Sequence, residues 1–433
     1  MDSYDTESNK SINRSHHDEE RTSLINGGVD PEKNKPFRDR NLYNIIILGL
    51  SFCVVFTAFS PTQNLETTLN ADVGFISLAL LYASLSLSNF VSPIIVTKLG
   101  EKWALIAGML TYATYIAANI AVTPLTLYLA SAFLGFGGAI LWTAESAFVI
   151  RCSTEATFGL HTGLFFALFQ SNQIIGNLGM SGLLNSGASD RTLFIILTIV
   201  CGSSILFFLA IGNPSNESEK EKEEKKEPVP FMQNLLATVS ILKELPIQLL
   251  IIALLYSGIS QSYFFGVFPQ LLGKEWLGYI MAVFGVFDAG GSVVFGRLSD
   301  KVGRKPIIIF ASICTIGGSI FAYLIEHNIS GNKVPYYFIC AGLLGLSDAG
   351  YNTQLYALLG EIYPSGSKTT AAAAAFKFVQ SIASAVAFFY GKYAVLYEHT
   401  LIINSLVIPS CILFIIVEYK FGNKNKSKID QIE

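Results

Sequence analysis

The chain has 433 residues, of which 51% are apolar and only 14% charged, and its mean hydropathy is +0.48. That balance excludes an ordinary water-soluble globule and points to a protein embedded in lipid. A net charge of −3 without a clustered basic face also excludes a general nucleic-acid binder, because phosphate recognition needs concentrated lysine and arginine.

Residues 1–40 are polar and hold no apolar h-region, so they read as a disordered cytoplasmic tail without a cleavable signal peptide. Within it, Glu20, Leu24 and Ile25 of ERTSLI resemble an acidic dileucine sorting signal. A stretch of about 20 apolar residues crosses ~30 Å of hydrocarbon as a helix. Such stretches recur in residues 41–212 at Leu42–Pro61, Val73–Val96, Trp103–Val122, Leu125–Ile150, Phe158–Leu184 and Leu193–Ile211. Residues 213–245, centred on ESEKEKEEKKEPVP, have no apolar face to bury and read as a solvated linker or a short exposed helix. Residues 246–420 repeat the pattern at Ile247–Leu272, Trp276–Phe295, Pro306–Ile325, Pro335–Ile362, Thr369–Val395 and Leu401–Tyr419, and residues 421–433 form a polar tail. The expected fold class is an all-α polytopic membrane protein with twelve transmembrane helices in two pseudo-symmetric six-helix bundles.

Lysine and arginine favour cytoplasmic loops. They crowd into the N-terminal tail, Lys98, Lys102, Arg151, the linker, Arg297, Lys301, Arg304, Lys305, Lys368 and the C-terminal tail. Only Arg191, Lys274, Lys333 and Lys392 fall toward the opposite face, so both termini are expected in the cytoplasm, with Lys377 left inside a helix. An internal repeat supports two halves. An offset of 210 sets Phe166, Gln170 and Ser171 on Phe376, Gln380 and Ser381, and Leu134-Gly135 on Leu344-Gly345; an offset of 209 sets Gly49 on Gly258.

Between the eighth and ninth stretches stands Gly296-Arg297-Leu-Ser-Asp300-Lys-Val-Gly303-Arg304-Lys305. Glycine suits so short a turn through backbone freedom and close approach, and Asp300 can neutralise basic neighbours or face a helix N-terminus. A first-half copy, Pro93 to Lys102, carries Thr97 where the second has its acid. This pattern resembles the GxLxDxxGRK signature of the major facilitator superfamily, which implies the major facilitator fold and a gating loop; a plain positive-inside anchor is the competing reading. The segments NLYNIIILGLSFCVVFTAF, LWTAES, LGLSDAGYNTQLYALLG and FKFVQSIASAVAFFY are similar to the Unc-ninety-three family within that superfamily. The resemblance covers about Asn41 to Tyr419. It implies a transporter-like protein, a regulatory subunit of a potassium channel, or an escort that traffics receptors to endolysosomes.

Ionisable groups at membrane depth are costly unless paired or hydrated, which makes each a functional candidate. Lys377 lies about 15 Å into its helix, with Gln380, Ser381 and Ser384 on the same stripe. Asp348 sits mid-helix with Asn352 and Gln354 close by, and the superfamily arrangement implies a cavity-lining place for Asp348 and Asn352. An ion pair between Asp348 and Lys377 is expected. Asp288 reads as a proton-coupling carboxylate or a partner of the neighbouring basic loop, and Glu145 as a gating group or a partner of Arg151. Gln170, Gln173 and Asn177 form an amide stripe suited to substrate contact or to interhelical hydrogen bonds. Gly135, Gly137, Gly138, Gly290 and Gly291 suit close helix packing.

Cys53, Cys152, Cys201, Cys314, Cys340 and Cys411 are scattered singly, and His161, His327 and His399 lack nearby ligands, so neither a metal, a cofactor nor an enzymatic constellation is expected. Asn328-Ile-Ser330 is a glycosylation acceptor sequence in an expected non-cytoplasmic loop. The expected partners are the lipid bilayer, a small-molecule or ion substrate, and a channel or receptor; the expected site is an endolysosomal or plasma membrane. Two functions stand open: a solute carrier with alternating access, and a non-transporting regulatory scaffold.

Overall fold

Helix α1 runs from Arg40 to Leu69, straight through Pro61, where the sequence suggested a stop. Proline lacks an N–H and leaves the Thr57 carbonyl without its helical donor. That carbonyl is covered by Gly176, where a Cβ would collide with it and lie 3.1 Å from the Pro61 ring. The computed structural model describes residues 40–154, 157–214, 238–363 and 367–422. Glu20, Leu24 and Ile25, most of the linker, residues 423–433 and the Asp300 side chain lie outside the described residues.

The second expected stretch is two helices, α2 (Ala71–Ser88) and α3 (Ser92–Leu99). α4 (Glu101–Ala118) and α5 (Pro124–Arg151) follow, the latter started by Thr123, whose side chain caps Thr126 N, and by Pro124 in the first turn. The fifth stretch, expected as one helix, breaks at Ser171 into α6 (Phe158–Gln170) and α7 (Asn172–Asn185). Ser171 Oγ and Asn172 Nδ2 both donate at 2.5 Å to carbonyls three residues back, at Leu168 and Phe169, which draws the chain out of the regular ladder. α8 (Asp190–Ala210) closes the first half.

In the second half α9 covers Leu245–Leu271 with a π-helical turn at Tyr263–Val267, just ahead of Pro269. α10 (Lys274–Val302), α11 (Arg304–Asn328), α12 (Val334–Ile362), α13 (Ser367–Gly391) and α14 (Leu396–Phe421) complete it. Among the described residues, nine helices are long and apolar enough to cross a membrane. The remaining expected stretches are helical as well: α4, the broken α6 and α7, and the polar α12.

The halves pack alike. α2 and α4 lie on α5 while α4 also meets α8; α10 and α11 lie on α12 while α11 meets α14. Equivalent glycines make the tight crossings. A Cβ at Gly135 would strike the Leu81 carbonyl of α2, and one at Gly345 the Phe284 carbonyl of α10. Gly49 approaches Leu168 of α6, and Gly258 approaches Gln380 and Ala383 of α13. Small residues let membrane helices gain dispersion contact where lipid supplies no hydrophobic drive. Gly290 and Gly296 differ from expectation: a Cβ on either would meet nothing within 4 Å. Between the halves, α2 packs on α13 and α7 on α10.

Candidate functional site

Lys377 is exposed on the face of α13 that meets the other half. On α13 it shares a stripe with Ser381, Ser384 and Phe388, while Ile382, Val386 and Phe389 form the exposed opposite face. Phe388 stacks on Tyr82 of α2 with ring centroids 5.3 Å apart, so that stripe faces the other half. Lys377 Nζ donates to Gln380 Oε1 at 2.9 Å and lies 5.5 Å from the Tyr356 and Phe376 ring centroids.

Asp348 is half-buried and accepts a 2.8 Å hydrogen bond from Asn352 Nδ2. The expected ion pair with Lys377 is absent: Asp348 interacts electrostatically with Lys377, but the ammonium is bonded to the Gln380 amide one turn along its own helix. Asp348 also feels Tyr82 of the first half, Tyr256 and Asp288. Two acids and a lysine therefore act on one another, with Asn352 bonded to Asp348, while the Tyr82 hydroxyl accepts from Gln63 at 3.3 Å and the Tyr256 hydroxyl contacts Thr315 and Ser347.

The other candidates separate. Asp288 is 7% exposed and has no cation within 4.0 Å among the described residues. Gln354 is buried on another face of α12, with Nε2 donating to Thr353 Oγ1 at 3.1 Å. Glu145 is buried and accepts from its neighbour Ser146 at 2.9 Å; the expected pairing with Arg151 does not form, because Arg151 binds Glu101 at 2.7 Å. Gln173 sits in the α7–α10 seam, where a Cβ at Gly285 would come 2.6 Å from its Cβ. Asn177 acts as interhelical glue, its Oδ1 accepting from Asn64 Nδ2 at 3.2 Å. Gln170 is half-buried at the end of α6. Asn328 is exposed on the last residue of α11.

In the basic turn, Gly303 has φ +80° and joins α10 to α11; Gly100 has φ +76° and joins α3 to α4. Both angles lie where a Cβ is strained, which explains glycine at these two equivalent positions. Gly296 and Arg297 are exposed within α10. The basic residues after each turn reach the last helix of their half. Lys102 Nζ donates to the Leu209 and Ile211 carbonyls at 2.8 Å, capping α8, and Lys305 lies 5.5 Å from the Tyr419 ring of α14. Beside them the two halves carry ion pairs of opposite polarity, Glu101 with Arg151 and Arg304 with Glu361. Thr97 spends its hydroxyl on the Pro93 carbonyl at 2.8 Å.

The halves are latched at the end away from Arg40. There Gln270 Nε2 donates to the Thr67 carbonyl at 3.0 Å, Lys274 pairs with Asp190, Lys392 approaches Asp72 at 3.8 Å, and Asn185 Nδ2 donates to Tyr279 OH at 3.0 Å. Beside Lys377, Phe378 meets Phe90 across the halves with centroids 5.0 Å apart, and between there and Arg40 no ion pair or hydrogen bond joins described side chains of the two halves.

Sequence reasoning missed Tyr82, Tyr256 and, most of all, Glu66, which is 1% exposed in α1 and receives a hydrogen bond from Tyr115 OH of α4. Ending the first stretch at Pro61 had placed Glu66 outside the membrane. The helix-compatible run from Thr62 to Leu69 was the available signal.

A family profile described as "Ion channel regulatory protein UNC-93" matches residues 65–415. The UNC93-like protein MFSD11 of Xenopus laevis is 31% identical, covering 88% of this chain and 96% of that protein. UNC93-like protein 3 of Arabidopsis thaliana is also 31% identical, over 81% of this chain and 80% of its own length. Among solved structures, nucleoside transporter NupG superposes with a TM-score of 0.64 at 13% identity, covering 88% of this chain and 99% of that one. A peptide transporter POT in complex with sulfate gives 0.62 at 12% identity, over 87% and 93%. These superpositions share the major facilitator architecture, and this chain belongs to the UNC-93 family.

Proposed function

We propose that the chain is a secondary transporter that moves a small solute by alternating access, its halves rocking about the site around Asp348, Asn352, Lys377 and Gln380. The observation that carries this is the latch at the end away from Arg40. Among the described residues the cross-half hydrogen bonds and ion pairs gather there, while Lys377, bonded to Gln380 rather than to an acid, lies on the face of α13 that meets the other half. Contacts of that kind are individually worth little and are remade when the opposite end closes. Asp288 and Asp348 are the coupling acids in this reading, Lys377 the counter-charge that a bound solute displaces from Gln380, and Gly303, Arg304 and Lys305 the turn that closes the Arg40 end. Both termini lie in the cytoplasm, with Glu20, Leu24 and Ile25 as an endolysosomal address and Asn328 as a glycan acceptor.

The test is flux in liposomes carrying the purified protein, screened with proton and sodium gradients against a panel of small solutes. Flux that Asp348→Asn abolishes supports the proposal. A second reading is favoured by Thr97, whose hydroxyl is used locally where the opposite half has an acid: a chain with one gate reduced, acting as a regulatory subunit of a channel or a receptor escort. Stoichiometric capture of one such protein, with no flux for any solute, decides for that reading.

A further inference from the structure

Glu66 is a buried carboxyl without a cation. It is 1% exposed, Tyr115 OH donates to Oε2, Oε1 has no hydrogen-bond partner, and no lysine, arginine or histidine lies within 4.0 Å among the described residues. An ionised carboxylate in such a place costs several kcal/mol, so the neutral acid is the form that fits.

The hydroxyls around it agree. Ser131 Oγ donates its one proton to the Leu127 carbonyl at 2.7 Å. The 2.5 Å contact between Ser77 and Ser131 must then be donated by Ser77. Ser77 thus spends its proton on Ser131, Tyr115 donates to Oε2, and Oε1 is left buried without a partner, the place where the proton of the neutral acid would sit. The titratable groups facing this carboxyl are Tyr115 of α4 and, behind it, Tyr82 of α2; α5 contributes only Ser131.

The same helical turn carries the latch. The Glu66 carbonyl accepts from Asn70 N at 3.0 Å, a Cβ at Gly74 of α2 would lie 3.1 Å from Glu66 Cγ, and the next carbonyl, Thr67, holds Gln270 of the opposite half. Gln270 of α9 thus ties the second half to the turn of α1 that carries Glu66.

We propose that Glu66 is a proton-binding site of the transport cycle, protonated while the end away from Arg40 is latched and giving its proton to water when that end opens. This rests on the rocking-halves reading but names a site apart from Asp288 and Asp348. Proton release stabilises the open form, so rising pH shifts the equilibrium toward open, by up to tenfold in the ratio per pH unit for one proton.

The experiment uses the full chain in liposomes with spin labels at Ala71→Cys and Tyr393→Cys, exposed positions flanking the Asp72–Lys392 approach. The inter-label distance distribution is recorded from pH 5 to pH 9 against the same protein without the two cysteines. In the wild-type background the short-distance fraction falls as pH rises. Glu66→Gln, a neutral isostere, holds the short distance throughout, and Glu66→Asp titrates with a displaced midpoint. A Glu66→Gln protein that titrates like its parent overturns the assignment, and so does a parent whose distances ignore pH. The readout needs no solute, so it separates the two claims. A chain that carries nothing in the flux assay yet titrates through Glu66 loses the transport reading and keeps the proton site.

Discussion

Exchanging the charges of one ion pair tests how the basic turns are built. Glu101 opens α4 and Arg151 closes α5, so each charge complements its helix dipole, and one guanidinium nitrogen bonds both carboxylate oxygens at 2.7 and 2.8 Å. The exchange Glu101→Arg with Arg151→Glu keeps the pair and sets both charges against the dipoles. Each end is worth roughly 0.3–1 kcal/mol, counted twice because a favourable term becomes unfavourable, giving about 2 kcal/mol in all. At roughly 2–4 °C per kcal/mol for a unit of this size, Tm in detergent falls by about 4–8 °C. Arg151→Ala is worse, because it strands a carboxylate only 18% exposed. The second half has the reverse polarity: Arg304 opens α11 and Glu361 closes α12. Exchange there recovers dipole energy, less the repulsion that an acid at 304 meets from Glu418, which interacts with Arg304. Tm is therefore expected to fall less than in the first half, or to rise. Equal losses in the two halves, or a first-half exchange as stable as the wild type, would refute the dipole reasoning.

Gly135→Ala and Gly345→Ala each force a methyl onto a neighbouring carbonyl and are expected to cost about 1–3 kcal/mol, whereas Gly290→Ala, with open space, costs nothing; thermal unfolding compares them. Asp348→Asn and Lys377→Gln are expected to be non-additive by roughly 0.5 kcal/mol or more in a double-mutant cycle on solute flux, and independence would separate the two charges functionally. Gln270→Ala removes the cross-half bond to Thr67, worth about 1 kcal/mol, and is expected to shift the spin-label populations about fivefold toward the unlatched form.

Hydropathy was enough to locate helical stretches, nine of which, among the described residues, are long and apolar enough to cross a membrane, because a helix satisfies its backbone polarity internally. It misplaced what depends on partners. Pro61 looks like a terminus until Gly176 is seen covering the freed Thr57 carbonyl, and that error hid Glu66. The break at Ser171 comes from side chains bonding backward, which apolar content does not register. Lys377 and Asp348 were legible as charges inside expected helices; Lys377 does share a face with Ser381 and Ser384, whereas Gln354 lies on a different face of α12 from Asp348. Their pairing was wrong because Gln380 and Asn352, one turn away on the same helices, compete locally for each charge. The offsets of 209 and 210 anticipated the matched glycine crossings, but not the reversed polarity of the two ion pairs.

Three polar links join α1 to the broken fifth stretch: Cys53 to Ser171 at 3.3 Å, Ser60 to Asn172 at 2.9 Å, and Asn64 to Asn177 at 3.2 Å. Spaced along one side of α1, they rivet it to α7 as a single strut. Since α7 also forms the seam with α10, α1 and α7 meet the second half as one body, with the break at Ser171 at its edge.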